Sequence, residues 1–261
     1  MNLDLTGKKA VVCGSTQGIG FAAAKELASL GATVYLMARN ADKLKEARAA
    51  LPTQSGQQHD VIVADFAHTT EVETAIQNFA AQHDVHILIN NTGGPNPGPA
   101  IDADIEAFRI AFNAHLINNQ ILAKALVPGM KKNGYGRIIN VISTSVKQPL
   151  KGLGVSNTIR AAVGNWAKTL SLELAPFGIT VNNVLPGATK TQRLESIISV
   201  KAGKTGVEVS AVEEEMLHEI PAGRFGDASE IAAAIAFLAS PAAGYINGIN
   251  VPVDGGRTGC L

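Results

Sequence analysis

The sequence predicts an α/β fold: a single domain over residues 1–261, built as a doubly wound parallel sheet with helices on both faces. Three observations carry this. Short apolar runs alternate with longer segments of helical periodicity, the order that produces parallel strands joined by right-handed crossovers. The runs are continuous stretches of valine and isoleucine rather than alternating ones, as strands covered on both faces require. Composition agrees, with 46% of residues hydrophobic and 17% charged, which suits a well-buried core.

The elements follow in order. Residues 10–13 form a short apolar run, and 21–30 follow with helical spacing. Residues 33–38, rich in β-branched and aromatic side chains, make the second strand. The polar stretch 41–51 makes the second helix. A third strand at 61–64 precedes a helix at 71–82, and a fourth at 86–89 precedes one long helical stretch at 105–131. A fifth strand at 137–142 leads to a long helix at 156–174. The sixth strand is 180–185, and a short last one is 249–253. Residues 191–223 break the rhythm. They are helix-like without a strand and contain Gly203, Gly206 and the acidic run Glu213-Glu214-Glu215. Following the C-terminal end of a strand, they predict a mobile substrate lid over a ligand crevice; the alternative is a helix pair that only packs.

Charge and cysteine content exclude several classes. Lys+Arg and Asp+Glu are both 22, for a net charge of zero, so no basic excess points to nucleic acid or an anionic membrane. Cys13 lies inside an apolar strand and reads as a small core residue. With Cys260 as the second cysteine, the chain is no disulfide scaffold. The first residues lack a charged leader followed by an apolar core, and no apolar run reaches the ~18 residues of a membrane span. A cytoplasmic location is expected. The six histidines are scattered, and no metal site is expected.

After the first strand comes Gly14-Ser15-Thr16-Gln17-Gly18-Ile19-Gly20, spaced G-x-x-x-G-x-G and opening a helix. Glycines there let the backbone turn tightly and approach a pyrophosphate, while the helix N-terminus offers free amides and a favourable dipole. This is the phosphate cradle of a Rossmann-like domain. Dinucleotide binders selective for NAD place an acid at the end of the second strand, where it binds the ribose hydroxyls. Here Ala38 stands there, followed by Arg39. A repelling carboxylate is missing and a guanidinium that can bind a 2′-phosphate is present, so NADP(H) is favoured over NAD(H). The alternative is that Arg39 is a solvated loop charge.

Further motifs join the cradle: Asn90-Asn91-Thr92-Gly93, Pro186-Gly187 followed by Thr191, and a tail running from Ile220-Pro221-Ala222-Gly223-Arg224-Phe225-Gly226 to Val253-Asp254-Gly255-Gly256. With these the chain resembles the short-chain dehydrogenase/reductases, above all the branch like β-ketoacyl-acyl-carrier-protein reductase. The resemblance covers essentially the whole chain and implies one Rossmann-like domain in a homotetramer. It also implies that Asp65 and Phe66 border the adenine. Asn91, Thr92 and Gly93 would lie along the adenosine ribose, and Pro186, Gly187, Thr189 and Thr191 along the nicotinamide. Gln17 stands where many NADP-dependent relatives carry a basic residue.

The family's working set is an asparagine, a serine, a tyrosine and a lysine. By the same resemblance the serine is kept as Ser143, the tyrosine position is Ser156, the lysine position is Arg160 and the asparagine position is His115. The chain's only tyrosines are Tyr35, Tyr135 and Tyr245. A serine hydroxyl is a far poorer proton donor than a phenol, and arginine stays protonated. Arg160 can still bind the nicotinamide ribose or a substrate carboxylate or phosphate. His115 alone has an ordinary pKa near neutrality and is the expected acid/base, unless it is a structural histidine.

The expectation is therefore an enzyme, an NAD(P)(H)-dependent oxidoreductase acting on a carbonyl/hydroxyl pair through a non-standard proton-transfer site. Its partner would be a small-molecule carbonyl or alcohol, 3-oxoacyl thioesters included. A catalytically impaired dinucleotide-binding scaffold or sensor is the alternative, followed by lyase or isomerase chemistry on the same fold. Lys147 and Lys151, in the loop before the Ser156 helix, either favour an anionic substrate or phosphopantetheine arm or are solvated surface charges.

Overall fold

Every strand runs parallel to its neighbours, with helices carrying the chain back across the sheet between them. The structure is a computed structural model and describes residues 1–260. The strands are β1 (Lys9–Cys13), β2 (Thr33–Ala38), β3 (Asp60–Val63), β4 (Ile87–Asn90), β5 (Gly136–Val141), β6 (Ile179–Pro186) and β7 (Asn250–Val253), in the spatial order β3-β2-β1-β4-β5-β6-β7. The helices are α1 (Gly18–Ser29), α2 (Ala41–Ala49), α3 (Thr69–Ala80), α4 (Ile105–Phe112), α5 (Asn118–Asn133), α6 (Gly154–Leu174), α7 (Gln192–Thr205), α8 (Val209–His218) and α9 (Ala228–Ala239). Strand order reverses between β1 and β4, and a sheet of this kind opens a ligand crevice at that point, beyond the carboxyl ends of its strands.

Successive strand residues feed opposite layers. Ala10 and Val12 join Leu27 of α1 and Ile235 of α9, while Val11 and Cys13 join Ile76 of α3 and Leu122 of α5. Burying each such leucine or isoleucine stabilises the fold by ~1.5–3 kcal/mol. Cys13 is a fully buried core residue whose thiol is pushed well up by desolvation.

A polar ladder crosses the apolar interior. Asn90, Asn140, Asn183 and Asn250 are register partners on β4, β5, β6 and β7. Asn90 Nδ2 donates to Asn140 Oδ1 at 2.8 Å, Asn140 to Asn183 at 2.9 Å and Asn183 to Asn250 at 2.8 Å.

Two elements differ from expectation. The single helix predicted over 105–131 is divided by a wide π turn at Asn113–Ile117, a distortion that inserts a residue and turns side chains off the regular face. His115 sits in that turn. The second difference is α9, unanticipated in the tail. Asp227 and Glu230 form a capping box at its start, and its alanine- and isoleucine-rich face packs closely on α1. Residues 191–223 resolve into α7 and α8 around a small apolar core of their own, Leu194, Ile198, Ala202 and Val212. Among the described residues no helix is long and apolar enough to cross a membrane.

Candidate active site

The cradle is built from backbone. Gly14 and Gly18 adopt left-handed φ angles of 57° and 56°, a region that costs other residues ~1–2 kcal/mol. A Cβ on Gly14 would lie 2.6 Å from the Asn91 carbonyl oxygen, and one on Gly20 would overlap the Gly14 carbonyl. Asn91 Nδ2 stitches the two loops together, donating to Cys13 O at 3.3 Å and Gly14 O at 3.2 Å. The N-cap of α1, Gln17, makes no side-chain capping bond, and no acid occupies the first turn, so the first amides remain available to an anion. Ser15 Oγ is buried without a partner. Free amides, an orphaned hydroxyl and glycines that admit no side chain fit a dinucleotide pyrophosphate.

A cavity of about 1010 Å³ opens beside this turn. Gly14, Gln17, Gly18 and Ile19 line one end, and Asn91, Thr92 and Gly93 continue the wall. Pro186, Gly187, Thr189 and Thr191 border it after β6. Ser143, Ser156 and Arg160 line the same space. Ser15, Thr16 and Gly20 belong to the cradle turn without facing the cavity. Arg39, Asp65 and Phe66 also lie outside the wall. The Arg39 side chain is 76% exposed, with Nη1 3.9 Å from Asp65 Oδ2, a contact too open and long to hold it firmly. Phe66 packs on the α3–α5 layer, and its carbonyl accepts from Asn118 Nδ2 at 2.8 Å.

Ser143 ends the run after β5, and its Oγ accepts the Ser145 amide at 3.1 Å. That bond occupies a lone pair and leaves the hydroxyl proton for another acceptor. Ser156 and Arg160 stand one turn apart on α6, so they share a face. Arg160 is buried and donates to Val141 O at 2.9 Å and Thr92 O at 3.5 Å. No tyrosine faces the cavity among the described residues: Tyr35 packs edge-to-face on Phe79, Tyr135 donates to Ala239 O, and Tyr245 is exposed in the tail. Lys151 reaches the wall and Lys147 does not.

The expectation that His115 titrates near neutrality is corrected. The ring is 3% exposed, lies behind the cavity wall, and has Nδ1 2.6 Å from Thr92 Oγ1. Burial, then the charges of Arg160 and Arg193, hold its pKa well below the ordinary 6.5. The imidazole is neutral at physiological pH and meets the cavity wall at the Thr92 hydroxyl.

Sequence reasoning missed Arg193. It lies in the first turn of α7, lines the cavity, and donates to Pro95 O at 2.5 Å. A readable sign was present: a cation two residues after Thr191, at a helix start where the dipole disfavours positive charge.

The comparisons agree with this architecture. A family model described as enoyl-(acyl carrier protein) reductase matches residues 14–258. The NADPH-dependent reductase BacG of Bacillus subtilis is 30% identical over 97% of this chain and 98% of its own length. The 3-oxoacyl-acyl-carrier-protein reductase FabG of Haemophilus influenzae is 34% identical over 97% and 98%. The crystal structure of L-sorbose reductase from Gluconobacter frateurii, complexed with NADPH and L-sorbose, superposes with a TM-score of 0.92 at 30% identity and full coverage of both chains, 100% each. With the glycine cradle, the reversal of strand order and these matches in hand, the chain belongs to the short-chain dehydrogenase/reductase family.

Proposed function

We propose that the protein is an NADP(H)-dependent oxidoreductase that interconverts a carbonyl and a hydroxyl group on a small molecule. One observation carries the reading: a single cavity runs from the glycine cradle to Ser143, Ser156 and Arg160, so cofactor and substrate ends share one space. The α1 amides take the pyrophosphate, and Arg39, free of a firm partner, takes the 2′-phosphate. Asp65 and Phe66 flank the adenine, Asn91, Thr92 and Gly93 the adenosine ribose, and Pro186, Gly187, Thr189 and Thr191 the nicotinamide. When bound, the cofactor supplies or accepts the hydride.

The chain's own residues then orient the substrate. Ser143 donates its unused hydroxyl proton as a hydrogen bond to the substrate oxygen. Arg160 places a fixed positive charge where that oxygen gains electron density, which favours the transition state. Ser156 and Thr92 bring hydroxyls to the wall through which solvent protons reach the oxygen. General acid/base help is worth ~10²–10⁴-fold, so turnover without a positioned phenol is slow. Helices α7 and α8, within residues 191–223, close over the substrate as a lid. Acyl thioesters of 3-oxo acids fall within the substrate class, as the FabG likeness suggests.

Calorimetric titration with NADPH and NADH is the test, because Trp166 donates to Gln120 and lies outside the cavity wall. NADPH is expected to bind at least tenfold tighter, and NADPH is expected to be consumed with a panel of carbonyl compounds. Binding of neither nucleotide would overturn the reading. The sensor alternative draws on the neutral, recessed His115 and the absence of a phenol among the described cavity residues; tight NADPH binding with no consumption across the panel selects it.

A further inference from the structure

Two arginines face the cavity with no carboxylate to balance them. Arg160 is 8% exposed, and its recorded hydrogen bonds go to backbone carbonyls. Half-buried Arg193 bonds Pro95 O. Neither belongs to an ion pair among the described residues. The two carboxylates on the wall are already engaged, Glu215 by Lys201 at 2.7 Å and Glu219 by Arg257. Lys151 and Lys204 add further unpaired charge to the same wall.

Each arginine is placed at a cost. A buried cation without a counter-charge is unfavourable, and burial together with the Arg193 charge pushes the Arg160 pKa down to about 10. Arg193 also opposes the dipole of α7. Both costs fall when an anion enters. Gly94 makes room for the fork, since a Cβ there would lie 3.3 Å from Arg193 Nη2. The neutral Pro95 carbonyl is a weaker acceptor than a carboxylate, whose charge-assisted bonds to a guanidinium are about twice as strong.

We infer that Arg193, with Arg160 behind it, binds a carboxylate on the substrate, so that the protein acts on oxo acids and their hydroxy counterparts in preference to uncharged carbonyl compounds. This inference rests on the oxidoreductase reading for its chemistry and on the two unpaired guanidiniums for its ligand. Because Arg193 belongs to α7, the same contact draws the α7–α8 pair onto a bound substrate.

The test uses the full chain, with and without NADP⁺, and calorimetric binding of oxamate, its uncharged counterpart oxamide and inorganic phosphate. Oxamate resembles an oxo acid but is not consumed, so its binding is independent of turnover. Oxamate is expected to bind ~10-fold or more tightly than oxamide. Arg193→Gln is expected to erase most of that ratio, and Arg193→Lys, which keeps the charge and loses the fork, to retain part of it. The NADP⁺ affinity of both variants is expected to stay within about threefold of the parent. Equal binding of oxamate and oxamide overturns the inference, as does phosphate binding tighter than oxamate. Equal loss of oxamate and NADP⁺ on Arg193→Gln also overturns it, because Arg193 then serves the cofactor phosphates. A protein that binds oxamate through Arg193 yet oxidises no NADPH keeps the anion site and loses the redox reading.

Discussion

The cradle around Gly14 and the wall around Arg160 are built by opposite means. In the cradle, backbone meets backbone: a Cβ at Gly14 would press on the Asn91 carbonyl, and one at Gly20 on Gly14 itself. In the wall, side chains on α6, α7 and one loop reach across open space, and Arg160 holds only carbonyl oxygens that any long donor could take. A site made of backbone changes only when the fold changes. A site made of side chains can be rewritten with the fold intact. The molecule thus joins a cofactor end fixed by backbone to a substrate end held by side chains.

The largest effect is expected where backbone leaves no room. Gly14→Ala combines a left-handed conformation, ~1–2 kcal/mol, with overpacking, ~1–3 kcal/mol. It should abolish measurable NADPH binding and lower the unfolding midpoint. Retention of parental affinity by calorimetry would erase the distinction between the two regions. Next, Arg39→Ser should weaken NADPH by ~10–100-fold while sparing NADH, as loss of charge-assisted bonds worth ~1.5–3 kcal/mol implies; an unchanged preference would return Arg39 to the solvated surface.

A smaller effect concerns His115 and pH. Its folded pKa lies below the ordinary 6.5, so under acid conditions the unfolded chain takes up a proton that the folded chain refuses. Stability from this group is therefore complete above about pH 6.5 and falls as pH drops towards the folded pKa, by at most ~1.4 kcal/mol per unit. Urea unfolding at pH 7 and pH 5 should show a steeper acid loss for the parent than for His115→Asn. Parallel slopes would place a charged imidazole at this position and restore it as an acid/base candidate. The smallest effect is local: Thr191 caps α7 by accepting the Leu194 amide, and Thr191→Ala should cost ~1 kcal/mol, seen as faster amide exchange in α7 with β1 unaffected.

The same division explains what could be read from the chain alone. The strands were legible because two-sided burial demands runs such as 10–13 and 33–38, and the cradle because glycine spacing records steric exclusion. Helix α9 is hard to read even though Asp227 and Glu230 mark its start, because its alanine-rich apolar sequence shows little polar contrast. The π turn at Asn113–Ile117 has no local signal, since its residues suit an α-helix equally well. His115 could be placed by resemblance, but its lowered proton affinity depends on Arg160 and Arg193, neighbours set by tertiary packing. Arg193 belongs to none of the motifs, and only the placement of α7 brings it to the cavity wall.

The asparagine ladder acts as a spirit level for the active site. Asn90, Asn140, Asn183 and Asn250 are locked side by side; the first three stand just before Asn91–Gly93, Ser143 and Pro186–Gly187 on the cavity wall, and Asn250 stands before Asp254, which lies against Gly187. A strand that slipped by one residue would turn its asparagine to the other face and break the chain of amides. The crossovers after β4, β5 and β6 and the tail after β7 are thereby levelled to one height, even though they are distant in sequence.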